Sequence, residues 1–251
     1  MTAPAPARPR PRSAALDRYA AHRLAATEYE RMLAVLRDLD PDDWSRATDC
    51  PGWDVRAMAA HVLGMARLAA SVREMARQNR LAAKAGGGID ALTGVQVRQH
   101  ADLDGAAIVA ELEATAPRAL RGRRRMSRIA GRATLPEEQV MGNIREHWRI
   151  GFLLDVVLTR DVWMHRVDVA RATERGLELT PGHDGVLVAD VVAEWAQRHG
   201  RPYRLVLTGP AGGEWSSGSD GEQLELDAVE FCRVLSGRGS GPGLLGQQVP
   251  F

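Results

Sequence analysis

The chain has 251 residues, 45% of them hydrophobic and 26% charged, with a formal net charge of +1. This composition fits a soluble globular protein with core enough for one large or two modest domains, and it offers neither nucleic acid nor an anionic membrane a footprint as main partner. Two cysteines, Cys50 and Cys232, are too few for a disulfide framework, and no stretch approaches the roughly 20 apolar residues of a membrane span, so a cytoplasmic setting is expected.

Residues 1–12 alternate Pro, Ala and Arg and read as a disordered tail. From Ser13 to Leu39 the apolar residues Leu16, Tyr19, Leu24, Met32, Leu33 and Leu36 fall at helical spacings, and Asp40-Pro41 closes the pattern. A loop carrying Trp44 and the turn Cys50-Pro51-Gly52-Trp53 leads to Asp54, the predicted cap of a second helix that reaches about Ala83. Ile89 to Asp104 reads as a polar connector. Ala106 to Leu120 is a third helix that Pro117 should kink or shorten, and the basic run Arg121 to Arg125 reads as a solvated helix end or loop. The fourth helical pattern runs from Asn143 to about Glu174. Four amphipathic segments joined by loops argue for a helix bundle over residues 13–176. Residues 177–251 form a small α+β unit, with a helix over Asp184–His199, strands at Tyr203–Thr208, Glu214–Ser217 and Leu224–Leu226, and a last helix capped by Asp227.

The fourth pattern contains Asp161-Val-Trp-Met-His165. Four residues are just over one helical turn, so the Asp161 carboxylate and the His165 imidazole share a face and can hold one metal ion between them. A catalytic zinc site usually takes three protein ligands and keeps a fourth position open. His61, in the apolar stripe of the second helix, is the candidate third ligand; the alternative is a core imidazole hydrogen-bonded to backbone. His147 is excluded from the same ion, because it precedes His165 by a helical rise of about 27 Å. Asp168 can either accept a proton from an imidazole of the site or pair with Arg171 or Arg166. Cys50 reads as a small packed residue beside Trp44 and Trp53 rather than a nucleophile.

Trp44, Cys50-Pro-Gly-Trp53-Asp-Val-Arg56, Ala60-His61-Val-Leu-Gly64 and Arg160-Asp161-Val-Trp-Met-His165-Arg-Val-Asp168 together resemble the mycothiol-dependent maleylpyruvate isomerase family. The likeness continues through Gly221 to Asp227, Phe231 to Arg238 and Gly243 to Phe251. It implies a DinB-like four-helix bundle followed by a small α+β domain, α+β and mostly α. It also implies Zn2+ or another divalent metal on His61, Asp161 and His165, with Asp161 standing where the isomerase pattern has glutamate. The implied nucleophile is mycothiol, a low-molecular-weight thiol, acting on a small electrophile. In isomerisation the thiolate adds to the conjugated double bond of a cis-dienoic acid and is eliminated after rotation; in S-transfer it stays attached. A carboxylate on the substrate calls for a cation, for which Arg238 is the first candidate and Arg233 the second. A monomer or homodimer is expected. The competing reading is a non-catalytic protein that binds a small apolar ligand or a protein partner.

Overall fold

The computed structural model describes residues 11–141 and 144–251. Of the expected tail, residues 1–10 lie outside the described residues, whereas Arg12 bonds through its backbone to His147 and Arg149.

Four helices form the bundle: α1 (Arg18–Arg37), α2 (Val55–Ala70), α5 (Gly105–Ala130) and α7 (Leu158–Ala172). Three of them are capped by an aspartate. The Asp17 carboxylate accepts the Tyr19 and Ala20 amides at the start of α1, Asp54 accepts the Ala57 amide at the start of α2, and Asp104 accepts the Ala107 amide at the start of α5. These side chains satisfy donors that the first helical turn leaves without partners. Met32, Leu36, Met58, Leu63, Ile108 and Leu112 fill the space between α1, α2 and α5. Tyr19, counted among the inward residues of the first helix, is instead 78% exposed in its first turn.

The expected long second helix is two helices. Ser71 has an extended backbone, ends α2 and caps α3 (Val72–Lys84) through its hydroxyl, which accepts the Glu74 amide. The expected polar connector is largely helix α4 (Gly88–Gln99), which packs with α3 against α2. Its polar residues face inward in part: Gln96 donates to buried Gln78, which donates to the Gly64 carbonyl.

Pro117 does not end α5. The inward row Ile108, Leu112, Ala116 and Ala119 packs against α2 on both sides of the proline and carries the helix to Ala130. The basic run is therefore helical, and its middle residue is not solvated: Arg123 is 4% exposed. Gly122 makes the α2–α5 approach possible, because a Cβ there would overlap the Ala69 carbonyl oxygen. Gly122→Ala is expected to lower stability by about 1–3 kcal/mol, the usual cost of overpacking. Urea unfolding would show this as an earlier midpoint; an unchanged midpoint would mean that the two helices separate freely.

The fourth pattern also begins differently. Strands β1 (Gln139–Met141) and β2 (Ile144–Glu146) pair antiparallel, and the chain turns helical only at α6 (Ile150–Phe152). Pairing with Arg12 holds the stretch before α6 extended, the Arg12 amide donating to the His147 carbonyl at 2.8 Å. A π-helical segment, Leu153–Val157, joins α6 to α7.

The C-terminal unit packs α8 (Asp184–His199) and α9 (Ala228–Leu235) on a three-stranded sheet. Its central strand β3 (Tyr203–Thr208) runs antiparallel to β4 (Gly213–Ser217) and parallel to β5 (Glu222–Asp227). Trp163, Met164 and Val167 of α7 share a core with Val188, Trp195, Leu205 and Phe231. Buried charges reinforce the junction. Asp184 accepts Arg166 at 2.7 Å, Arg31 at 2.5 Å, the Trp163 indole at 3.0 Å and the Thr180 amide at 2.7 Å. Among the described residues, no helix is long and apolar enough to cross a membrane.

Candidate metal centre

The site lies between α2 and α7, roofed by the turn that precedes α2. In that turn the Trp53 amide donates to the Cys50 carbonyl at 3.0 Å and Gly52 takes a positive φ of 80°, a conformation suited to glycine. The Thr48 amide and hydroxyl both donate to the Trp53 carbonyl. Fixed this way, the Trp53 ring lies 5.2 Å from the His61 ring and 6.1 Å from that of His165, centroid to centroid.

His61, Asp161 and His165 come together as expected, their donor atoms within 4.8 Å of one another. His61 Nε2 is 3.5 Å from Asp161 Oδ2 and His165 Nε2 is 3.4 Å from Asp161 Oδ1. These separations exceed a normal hydrogen bond but match the edge of a tetrahedron, about 3.4 Å, whose arms have the ordinary zinc length of about 2.1 Å. One of these donors also lacks a protein partner: Asp161 Oδ2 is buried and has no hydrogen-bond partner among the described residues. Buried polar atoms are rarely left so in a folded protein. Burial alone would raise the Asp161 carboxyl, yet the two imidazoles hold it well below the usual carboxylate range, and thus as an anionic donor.

A second group of residues orients the first. The His165 ring places Nδ1 3.2 Å from Asp168 Oδ2. Asp168 is fully buried and is clamped by Arg238, whose Nε donates to Oδ1 at 2.8 Å and Nη2 to Oδ2 at 2.7 Å. Of the two roles open to Asp168, the imidazole acceptor is the one observed, and its arginine partner is Arg238 rather than Arg166 or Arg171. Burial opposes its ionisation, but His165 and Arg238 outweigh burial and depress the carboxyl. Arg238, from the loop after α9, thereby reaches the site, with Nη2 also 3.6 Å from Cys50 Sγ and 3.4 Å from His165 Nδ1. Arg233 does not reach it and pairs with Asp49 and Glu230. Cys50 is half-buried beside Trp53; Cys232 is fully buried, and burial pushes its thiol up, away from reactivity.

Two residues of this neighbourhood escape a motif-based reading. Arg123 and Tyr29 are both buried; burial and the nearby Asp161 carboxylate hold the Tyr29 phenol protonated, and the same carboxylate partly offsets the burial of the Arg123 guanidinium. The signal for Arg123 is its place in the inward row of α5, four positions after Ala119.

A family model described as the mycothiol maleylpyruvate isomerase N-terminal domain matches residues 24–170. A crystal structure of a mycothiol-dependent maleylpyruvate isomerase is similar with a TM-score of 0.57 at 19% identity, covering 90% of this chain and 91% of that one. A histidine-to-alanine mutant of such an enzyme gives a TM-score of 0.52 at 18% identity, with the same coverage. At these identities the likeness speaks for a shared fold. No curated protein sequence matches the chain.

Proposed function

The chain belongs to the family of the mycothiol maleylpyruvate isomerase N-terminal domain, which covers residues 24–170, and on that premise we propose a zinc-dependent enzyme that uses mycothiol as nucleophile. Its reaction is cis–trans isomerisation of a maleylpyruvate-like acid or S-transfer to a related electrophile. The observation that carries this reading is the convergence of His61, Asp161 and His165, with the buried Asp161 Oδ2 unpartnered among them.

Zinc or another divalent metal on these three residues would supply the Lewis acidity that keeps a thiol as thiolate at neutral pH. The chain's own residues prepare the place. Asp168 accepts the Nδ1 proton of His165, which fixes the tautomer and leaves the Nε2 lone pair facing Asp161. Trp53 covers both imidazoles and limits water. Arg238 keeps Nε and Nη2 on Asp168, and its Nη1, which takes no part in those bonds, can hold a substrate carboxylate.

Metal analysis followed by calorimetric titration with mycothiol tests the reading. Near-stoichiometric zinc and saturable thiol binding are expected. A fully native metal-free protein, or a zinc-loaded one that binds no thiol, would sink it. Asp168→Asn should cost 10- to 100-fold in metal affinity or turnover, the usual effect of losing a ligand's orienting partner. A variant with unchanged metal affinity and turnover would reduce Asp168 to an ordinary ion pair.

A further inference from the structure

Beside the three metal-ligand candidates, and lined by none of them, an open cleft of about 360 Å³ lies between the start of α2 and the end of α4. Small-molecule sites generally fall between about 300 and 1,000 Å³. The small side chains of Ala57 and Ala60 form the α2 wall and keep the cleft open. His100 of the opposite wall is buried and fixed, with Nδ1 2.8 Å from the Gln96 carbonyl and Nε2 3.0 Å from Arg67 Nη1.

The polar groups of the cleft define what it can take. Trp148, Trp163 and Trp195 donate their indole N–H groups to protein acceptors, whereas that of Trp53, which lines the cleft, has no acceptor among the described residues. Arg56 lines the cleft too, is exposed, and forms no ion pair among the described residues. It stands in the first turn of α2, where a cation opposes the helix dipole, so helix stability does not account for it. The Asp54 carboxylate, which caps α2, borders the same cleft and disfavours an anionic ligand. An indole, a guanidinium fork and a carboxylate together suit a neutral ring that bears several hydroxyls. Its C–H face packs on the indole, and its hydroxyls bond the charged side chains.

Trp53 joins this cleft to the metal centre, since its ring also lies 5.2 Å from that of His61. Ala57 precedes His61 by one helical turn, a rise of about 6 Å. In mycothiol the cysteine sulfur is five bonds from an amino-sugar ring, about 6 Å when extended.

We infer that the cleft between α2 and α4 is a sugar subsite, which holds the polyhydroxylated part of the thiol while its sulfur reaches the metal centre past Trp53. The inference rests on the thiol-enzyme reading for the identity of the ligand, but occupancy of the cleft by a sugar is separately measurable.

The test is calorimetry on the full zinc-loaded chain with three probes: mycothiol, N-acetylcysteine, which lacks the sugar, and the thiol-free glucosaminyl-inositol. Mycothiol is expected to bind at least about tenfold more tightly than N-acetylcysteine. Ala101→Trp places a large ring in the cleft from the exposed turn after α4, where it should not disturb folding. It should bring the two thiols within about threefold while zinc content and N-acetylcysteine binding stay the same. Arg56→Ala should weaken mycothiol severalfold and leave N-acetylcysteine unaffected. Equal binding of the two thiols by the natural protein would overturn the inference, as would a preference undiminished in both variants. If neither thiol binds, the thiol-enzyme reading falls and the glycoside decides: binding that A101W removes keeps the sugar subsite, and no binding ends it.

Discussion

His61→Ala is expected to abolish stoichiometric metal binding, with affinity falling by more than the roughly 100-fold that loss of an outer partner produces. The reason is geometric. Asp161 and His165 lie one turn apart on α7, so His61 is the ligand that brings in a second helix, and without it two donors and solvent remain. His61 is 2% exposed, so the variant should still fold around a small cavity. A ligand that binds only the folded state raises stability by about 2.7 kcal/mol at a hundred times its dissociation constant. The natural protein should therefore melt later with added zinc, whereas the variant should be indifferent to it. Full zinc occupancy in a folded His61→Ala protein would rule out this ligand set.

The largest effect on stability is expected from Asp184→Ala. The Asp184 carboxylate is fully buried and holds Arg166, Arg31, the Trp163 indole and the Thr180 amide at once. Removing it leaves buried Arg166 with Glu28 as its one remaining carboxylate and Arg31 with the exposed Glu178, and breaking such a buried pair typically costs about 3–5 kcal/mol. For a chain of this length that is on the order of 10 °C in Tm. Burial opposes ionisation of Asp184, but the Thr180 amide, the Trp163 indole and the arginines depress its carboxyl below the ordinary value of 3.8. A depressed folded-state value means that this stabilisation is complete above the unfolded carboxyl's range and is lost as pH falls through the folded one. The difference in Tm between natural protein and variant should thus be constant near neutrality and shrink only in acid. A difference that grew in acid would contradict the assignment.

The bundle and the meeting of His61, Asp161 and His165 were legible because both rest on period and spacing. Asp161 and His165 had to share a face once α7 was helical, and His61 was conspicuous as a polar residue in an apolar stripe. The α+β unit was legible from its alternating strand Tyr203–Thr208 and its Asp227 cap. The errors occurred where tertiary contacts overrule local preference. Pro117 reads as a helix breaker, but packing on both sides of it keeps α5 whole, and this moved Arg123 from an expected solvated run to the bundle interior. The extended stretch before α6 depends on pairing with Arg12, more than a hundred residues away in sequence. Ser71 was a cap concealed within a pattern that otherwise looked continuous. The clamp of Arg238 on Asp168 joins residues 70 positions apart, a pairing that no spacing rule could supply.

That clamp also makes the last part of the chain a checkpoint on assembly. His61, Asp161 and His165 all belong to the bundle and can meet as soon as it forms, but Asp168, which faces His165 Nδ1, is secured from the loop after α9. A bundle formed before the C-terminal unit docks would present the three donors with one imidazole free to turn. Docking of the C-terminal unit therefore completes a single run of contacts, from Arg238 through Asp168 to His165, that spans both parts of the chain.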